Sequence, residues 1–128
     1  EKVMQVNVTA QFMLTQALLP VLEKADHGSI VFTSSGVGRK GKAFWGAYAV
    51  SKFATEGLSQ VLASELEETT HIRVNCINPG ATRTAMRMKA YPAEDPRTLK
   101  TGDDIMGVYL YLMGDDSLDV TGQSLDAQ

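Results

Sequence analysis

Two apolar runs of strand length, SIVFTSS at 29–35 and IRVNCIN at 72–78, constrain this chain more than any other feature. The first is rich in β-branched residues and does not alternate apolar with polar side chains, and the second reads the same way. A strand solvated on one face shows that alternation, whereas a strand covered on both faces does not. Each run is therefore predicted as a strand buried on both sides, and such burial takes helices above and below. Val8, Phe12, Thr15, Leu19 and Leu22 recur at three- or four-residue steps, which predicts one amphipathic helix over about 3–25. Pro20 has no N–H and crowds the preceding turn, so a kink is expected near the helix end. DHG at 26–28 reads as a stop and a turn.

After the glycine-rich loop GVGRKGKAF at 36–44, a second helix is predicted over about 45–68. On it Tyr48, Ser51, Lys52, Thr55 and Ser59 form one stripe, with Phe53, Gly57, Leu58, Val61 and Leu62 as apolar neighbours. Residues 79–98 read as a long irregular stretch. Thr101 and Asp104 have the spacing of an N-cap and its capping-box acid, opening a third helix through IMGVYLYLM that stops near Gly114. TGQSLDAQ at 121–128 reads as a last short strand. Strands alternating with helices predict an α/β fold of right-handed crossover units on a parallel sheet. One domain is expected over 1–128. A sheet of three strands is thin, and one apolar strand would stand uncovered at its edge. The chain opens on Glu1, at or inside a helix, and closes on SLDAQ, so both ends are expected to be cut.

Composition narrows the partners. A net charge of -3 and a pI near 5.3 argue against nucleic acid or an anionic membrane surface as the main partner. The longest apolar runs, such as ALLPVL at 17–22, are far too short to span a bilayer. The single cysteine, Cys76, forms no internal disulfide, fits a reducing compartment and is expected to be a buried structural thiol. A cytoplasmic protein is predicted. His27 and His71 fall in turns, and no cluster has metal-ligand spacing, so no metal is expected.

The chemistry gathers at one sheet edge. Tyr48 is the one tyrosine with a lysine at +4, and residues four apart stand side by side on a helix. Ser35 lies at the carboxyl end of the first predicted strand, where open α/β sheets place reactive groups. NPG and then ATRT follow the second strand, bringing a turn and two hydroxyls, Thr82 and Thr84, to the same edge. Asn7 lies in the first helix. Each has a plain structural alternative. Tyr48 and Lys52 can be a surface pair, Ser34 can be the hydroxyl that faces the site, Asn7 can simply bond a neighbouring element, and both threonines can cap a loop. Arg39, Lys40 and Lys42 read as a solvated loop rather than as anion-steering charges.

This set resembles the short-chain dehydrogenase/reductase family. The matching pieces are N-V-T-A-Q-F at 7–12, G-S-I-V-F-T-S-S at 28–35, Y-A-V-S-K at 48–52 and N-P-G-A-T-R-T at 78–84, closed by T-G-Q-S-L-D. EDPRTLKTGDDIM and YLMGDDS add a likeness to the bacterial YciK-like oxidoreductases. The resemblance implies the C-terminal part of a doubly wound, NAD(P)-binding Rossmann fold, with its N-terminal strands missing. It implies an oxidoreductase interconverting an alcohol and a ketone or aldehyde. Tyr48 would be the general acid or base, and Lys52 would hold the nicotinamide ribose and favour the phenolate. Ser35 would donate to the substrate oxygen, and Asn7 would position a relay water. Pro79, Gly80, Thr82 and Thr84 would contact the nicotinamide side of NADP or NAD, with a lean to NADP. Met86, Met88 and Tyr91 would form an apolar lid. The helices over about 3–25 and 45–68 would pair with their copies in a homo-oligomer, using Leu58, Val61, Leu62 and Leu66.

The family's phosphate loop, T-G-x-x-x-G-x-G, does not occur in these residues. Taken alone they are therefore expected to be inactive. Two other readings stand beside the dehydrogenase: a non-catalytic scaffold on the same fold, and an epimerase or dehydratase using the same site.

Overall fold

IRVNCIN becomes the middle of the sheet. In the computed structural model, which describes residues 1–128, strand β2 (Ile72–Asn78) is buried from Ile72 through Ile77. It pairs in parallel with β1 (Gly28–Thr33) on one side and with β3 (Ser124–Asp126) on the other. Gly28 stands opposite Ile72, Thr33 opposite Ile77, and Asn78 opposite Asp126. All three carboxyl ends thus meet along one edge.

β1 stops at Thr33, short of the predicted end at Ser35. Ser34 gives a last backbone N–H to the Ile77 carbonyl at 2.7 Å, and then the chain turns away. Ser35 lies just past the strand, as the N-cap of a 3₁₀ turn over Gly36–Gly38. The reason is local: its hydroxyl accepts the Val37 N–H at 3.4 Å, which offers the backbone an alternative to the ladder.

The first helix is not uniform. Helix α1 (Lys2–Met4), a π turn over Gln5–Thr9 and helix α2 (Ala10–Leu22) run on without a break. Thr15 is buried and Val8, Leu19 and Leu22 are half-buried, as their spacing requires. Phe12 departs from that stripe and is 51% exposed. The step to it crosses the wider π turn, which upsets a count of 3.6 residues. Helix α2 continues two residues past Pro20.

Helix α3 (Gly46–Leu66) covers one face of the sheet. Leu62, Ala63 and Leu66 join Phe32, Ile72, Val74 and Cys76 in the main core cluster, and Leu58 packs against it. This corrects the expected intersubunit face: Leu58, Leu62 and Leu66 are turned onto their own sheet. The hydroxyl stripe lies on the same inward side, with Ser51, Thr55 and Ser59 all buried. Small hydroxyls can be buried when they bond back to helix carbonyls. Ser51 Oγ donates to Tyr48 O at 2.7 Å and Thr55 Oγ1 to Ser51 O at 3.1 Å. Val50, Phe53 and Val61 occupy the outward side.

The other face is covered by helix α5 (Met106–Met113). Arg73 is buried, and its Nη2 donates to the carbonyls of Leu112 at 3.1 Å and Gly114 at 2.8 Å. A cation there meets the negative end of the helix. Ahead of α5, Thr101 N donates to Asp104 Oδ2 at 2.8 Å and Asp104 N to Thr101 Oγ1 at 3.3 Å, the reciprocal box the spacing predicted. The supposedly irregular stretch contains helix α4 (Ala85–Ala90), capped by Thr84 Oγ1, which accepts the Arg87 N–H at 3.1 Å. No helix is long and apolar enough to cross a membrane.

Candidate active site

A cavity of about 1020 Å³ opens at the carboxyl ends of β1 and β2. Ser35, Tyr48, Pro79, Gly80, Thr82 and Thr84, drawn from three separate segments, all line it. Lys52 and Asn7 stand behind that wall.

Lys52 lies one turn beyond Tyr48, and its Nζ is 5.6 Å from the phenol ring centroid. It donates to Thr33 O at 2.9 Å, a carbonyl freed where β1 ends. Burial holds the Lys52 ammonium below the ordinary lysine range. Ser35 accepts from Val37 N, so its own O–H remains available to a substrate oxygen. Ser34 is 2% exposed, whereas Ser35 is half-buried at the cavity wall. Asn7 sits in the π turn, where such irregularities often mark functional positions. Its Nδ2 donates to Ser51 Oγ at 3.1 Å, and Ser51 in turn bonds the Tyr48 carbonyl. Asn7 thus braces the first turn of α3 rather than reaching Lys52 directly.

The loop after β2 suits a carboxamide. Gly80 has φ +73°, a conformation that favours glycine, and its N–H donates to Asn78 Oδ1 at 3.1 Å. The side-chain amide of Gln128 donates to Pro79 O at 2.8 Å and Ala81 O at 2.9 Å. Two carbonyls that hold one primary carboxamide can hold another, and nicotinamide carries that group. The residues present therefore fit the nicotinamide end of a dinucleotide. Thr82 Oγ1 donates to Gly80 O at 3.1 Å and Thr84 caps α4, so both are also loop-capping hydroxyls.

Sequence reasoning missed several parts. Arg39 is not a solvated loop charge. Its Nη1 bonds Asp126 Oδ1 at 2.7 Å, its Nη2 meets Ser124 Oγ at 2.8 Å, and its Nε lies 3.6 Å from the buried Glu56 carboxylate. The loop after Ser35 is thereby fastened to β3 and α3. Its partners on β3 lie 85 and more positions away, so no local pattern signals them. Trp45 was also missed; its ring lies 5.7 Å from that of Tyr48 and 6.3 Å from that of Tyr91. Met86 and Tyr91 line the cavity as a lid would, while Met88 is not part of its lining. Cys76 is fully buried, and burial pushes its thiol up to about 11.

Parallel sheet, crossover helices and a Tyr48–Lys52 turn facing Ser35 make this a dinucleotide-type α/β site. The family described as short chain dehydrogenase matches residues 1–95, and the chain belongs to it. The oxidoreductase YciK of Escherichia coli (strain K12) is 67% identical over 128 residues, covering 100% of this chain and 50% of that protein. A short chain dehydrogenase structure from Escherichia coli CFT073, complexed with NADPH, superposes with a TM-score of 0.94 at 68% identity, over 98% of this chain and 51% of the other. A 3α-hydroxysteroid dehydrogenase of Mediterraneibacter gnavus is 37% identical over 134 residues, 98% of this chain and 53% of that protein. The chain thus spans about half the length of the curated relatives it matches.

Proposed function

We propose that this chain forms the catalytic half of an NADP(H)-dependent oxidoreductase that interconverts a ketone or aldehyde and an alcohol. The observation that carries the reading is that Ser35 and Tyr48 line one cavity, with the Lys52 ammonium 5.6 Å from the phenol ring centroid. In reduction, the Tyr48 O–H gives its proton to the carbonyl oxygen as that oxygen gains charge. Ser35 donates a hydrogen bond to the same oxygen, a stabilisation worth most when the donor is already in place. Lys52, held by the Thr33 carbonyl, keeps a positive charge near the phenol and eases its proton loss. Asn7 and Ser51 fix the first turn of α3 and so the position of Tyr48. When bound, the nicotinamide supplies or accepts the hydride at the substrate carbon. The loop Pro79–Ala81 would hold its carboxamide, with Thr82 and Thr84 beside it. The NADPH complex of the relative favours the phosphorylated dinucleotide.

Tyr48→Phe tests this in the full-length protein. Proton transfer by a placed acid contributes about 10²–10⁴-fold, so turnover of ketones should fall by at least that much while the melting temperature holds. A variant that keeps turnover within a few-fold would sink the assignment, and so would a wild type that changes NADPH consumption with no carbonyl compound. Residues 1–128 alone, without a phosphate loop, should bind NADPH weakly and turn over nothing.

A further inference from the structure

The loop between Ser35 and Tyr48 holds one residue whose conformation the rest of the chain does not repay. Phe44 has φ +70°, in the left-handed region that a bulky side chain rarely adopts. Its ring is fully exposed, at 105%. The residue therefore carries both backbone strain and an unburied aromatic ring, with no packing to offset either. Strain of this kind gathers at ligand clamps, where a bound molecule makes up the loss.

Its surroundings indicate which molecule. Phe44 lines the same cavity as Ser35 and Tyr48. The Trp45 ring bridges those of Tyr48 and Tyr91, so an aromatic wall runs outward from the reactive phenol. Met86 also lines this cavity. The Arg87 guanidinium nearby is committed elsewhere. Arg87 stacks 3.8 Å from the Tyr91 ring centroid and forks onto Glu94 at 2.9 and 2.8 Å. Lys42 lies over the Trp45 ring at 5.4 Å. The wall keeps no free guanidinium to fork onto a phosphate or carboxylate.

We infer that Phe44 is the outer jaw of an aromatic clamp, and that the substrate is an uncharged ketone or secondary alcohol whose reacting carbon belongs to a flat, rigid, apolar ring system. The inference rests on the reading that Tyr48 and Ser35 serve a carbonyl oxygen. Ring faces on both sides select a flat apolar body through buried area and stacking geometry, whereas a small aliphatic ketone gives the jaw little to hold.

The test uses the full-length protein with NADPH, and trans-2-decalone and 2-butanone as probes. In Phe44→Ala, the ratio of kcat/KM for decalone to that for butanone should fall at least tenfold, chiefly through the KM for decalone. Phe44→Tyr should restore it. Phe44→Gly should lose the same selectivity yet melt higher than wild type, because glycine accepts φ +70° freely. An unchanged ratio in Phe44→Ala, or a lower melting temperature in Phe44→Gly, overturns the clamp. Binding gives a readout separate from turnover. Trp45 is the sole tryptophan of these residues, so decalone should change a fluorescence signal that Trp45→Phe abolishes, and Phe44→Ala should weaken that binding at least fivefold. If ketones are not reduced but this binding appears, the proposed reaction fails and the clamp stands. If ketones are reduced but the binding is insensitive to Phe44, the clamp fails and the reaction stands.

Discussion

Gly38→Ala should damage catalysis through geometry alone. Gly38 ends the 3₁₀ turn that follows Ser35 and packs against α3. A Cβ there would lie 2.8 Å from Ser34 Oγ and 2.9 Å from the Lys52 carbonyl oxygen. Ordinary contact starts at 3.4 Å, so about half an ångström must be found. The Ser34 hydroxyl can rotate, but the Lys52 carbonyl is helix backbone and cannot. The movement must therefore open the gap between the Ser35 turn and the turn of α3 that carries Tyr48 and Lys52. A misplacement of 1 Å costs about 10²-fold in rate, so half that should lower kcat by roughly 10- to 100-fold. Overpacking of this type also costs about 1–3 kcal/mol of stability. Gly41→Ala is the control: it lies in the same loop, and a Cβ there meets nothing within 4 Å. Steady-state reduction of a ketone by NADPH, with melting followed by circular dichroism, reads both effects. If Gly38→Ala matches Gly41→Ala in rate and in melting temperature, the argument that this close approach sets the site geometry is wrong.

Arg39→Met should destabilise the fold by about 1–3 kcal/mol, because the buried Glu56 carboxylate loses its cation and keeps only the Ser124 hydroxyl. Denaturant melts should show part of that loss recovered in Arg39→Met/Glu56→Leu; full additivity would refute the coupling. For Cys76, the folded thiol titrates at about 11 against 9.0 for an ordinary one. Between those pH values the unfolded chain releases a proton that the folded chain keeps, so stability falls as pH rises, by roughly 2–3 kcal/mol across the window. Cys76→Ala should remove that part of the slope, and an identical slope in the variant would count against it. Val50, Phe53 and Val61 lie on the outward face of α3, so Phe53→Asp/Val61→Asp should lower the mass seen by light scattering in the full-length protein if that face joins copies of the chain. A monomeric wild type would end the proposal.

Much of the architecture was legible because its signals are local. A buried strand shows as an unbroken apolar run, as in Ile72–Asn78, and a capping box shows as Thr101 with Asp104. The Tyr48–Lys52 pair is visible because a helix brings positions four apart together. The π turn at Asn7 was not legible, since one extra residue in a turn leaves no mark in composition. Helix α4 was hidden because its N-cap Thr84 stands among Pro and Gly residues that suggest only a loop.

By itself the sequence determined the order of the strands and long helices, the parallel sheet and the candidate residues for proton transfer. Only the tertiary structure decided which face each helix turned inward. Leu58, Leu62 and Leu66 went to the sheet and Val50, Phe53 and Val61 to the outside, because satisfied hydroxyls let a polar stripe be buried with the leucines. It also decided what Arg39 and Phe44 do. One is bound to Ser124 and Asp126 across the sheet edge, and the other is held at a positive φ over the cavity. Contacts between residues so far apart, and strain imposed by a whole loop, depend on where the rest of the chain stands, and no short window of sequence contains that information.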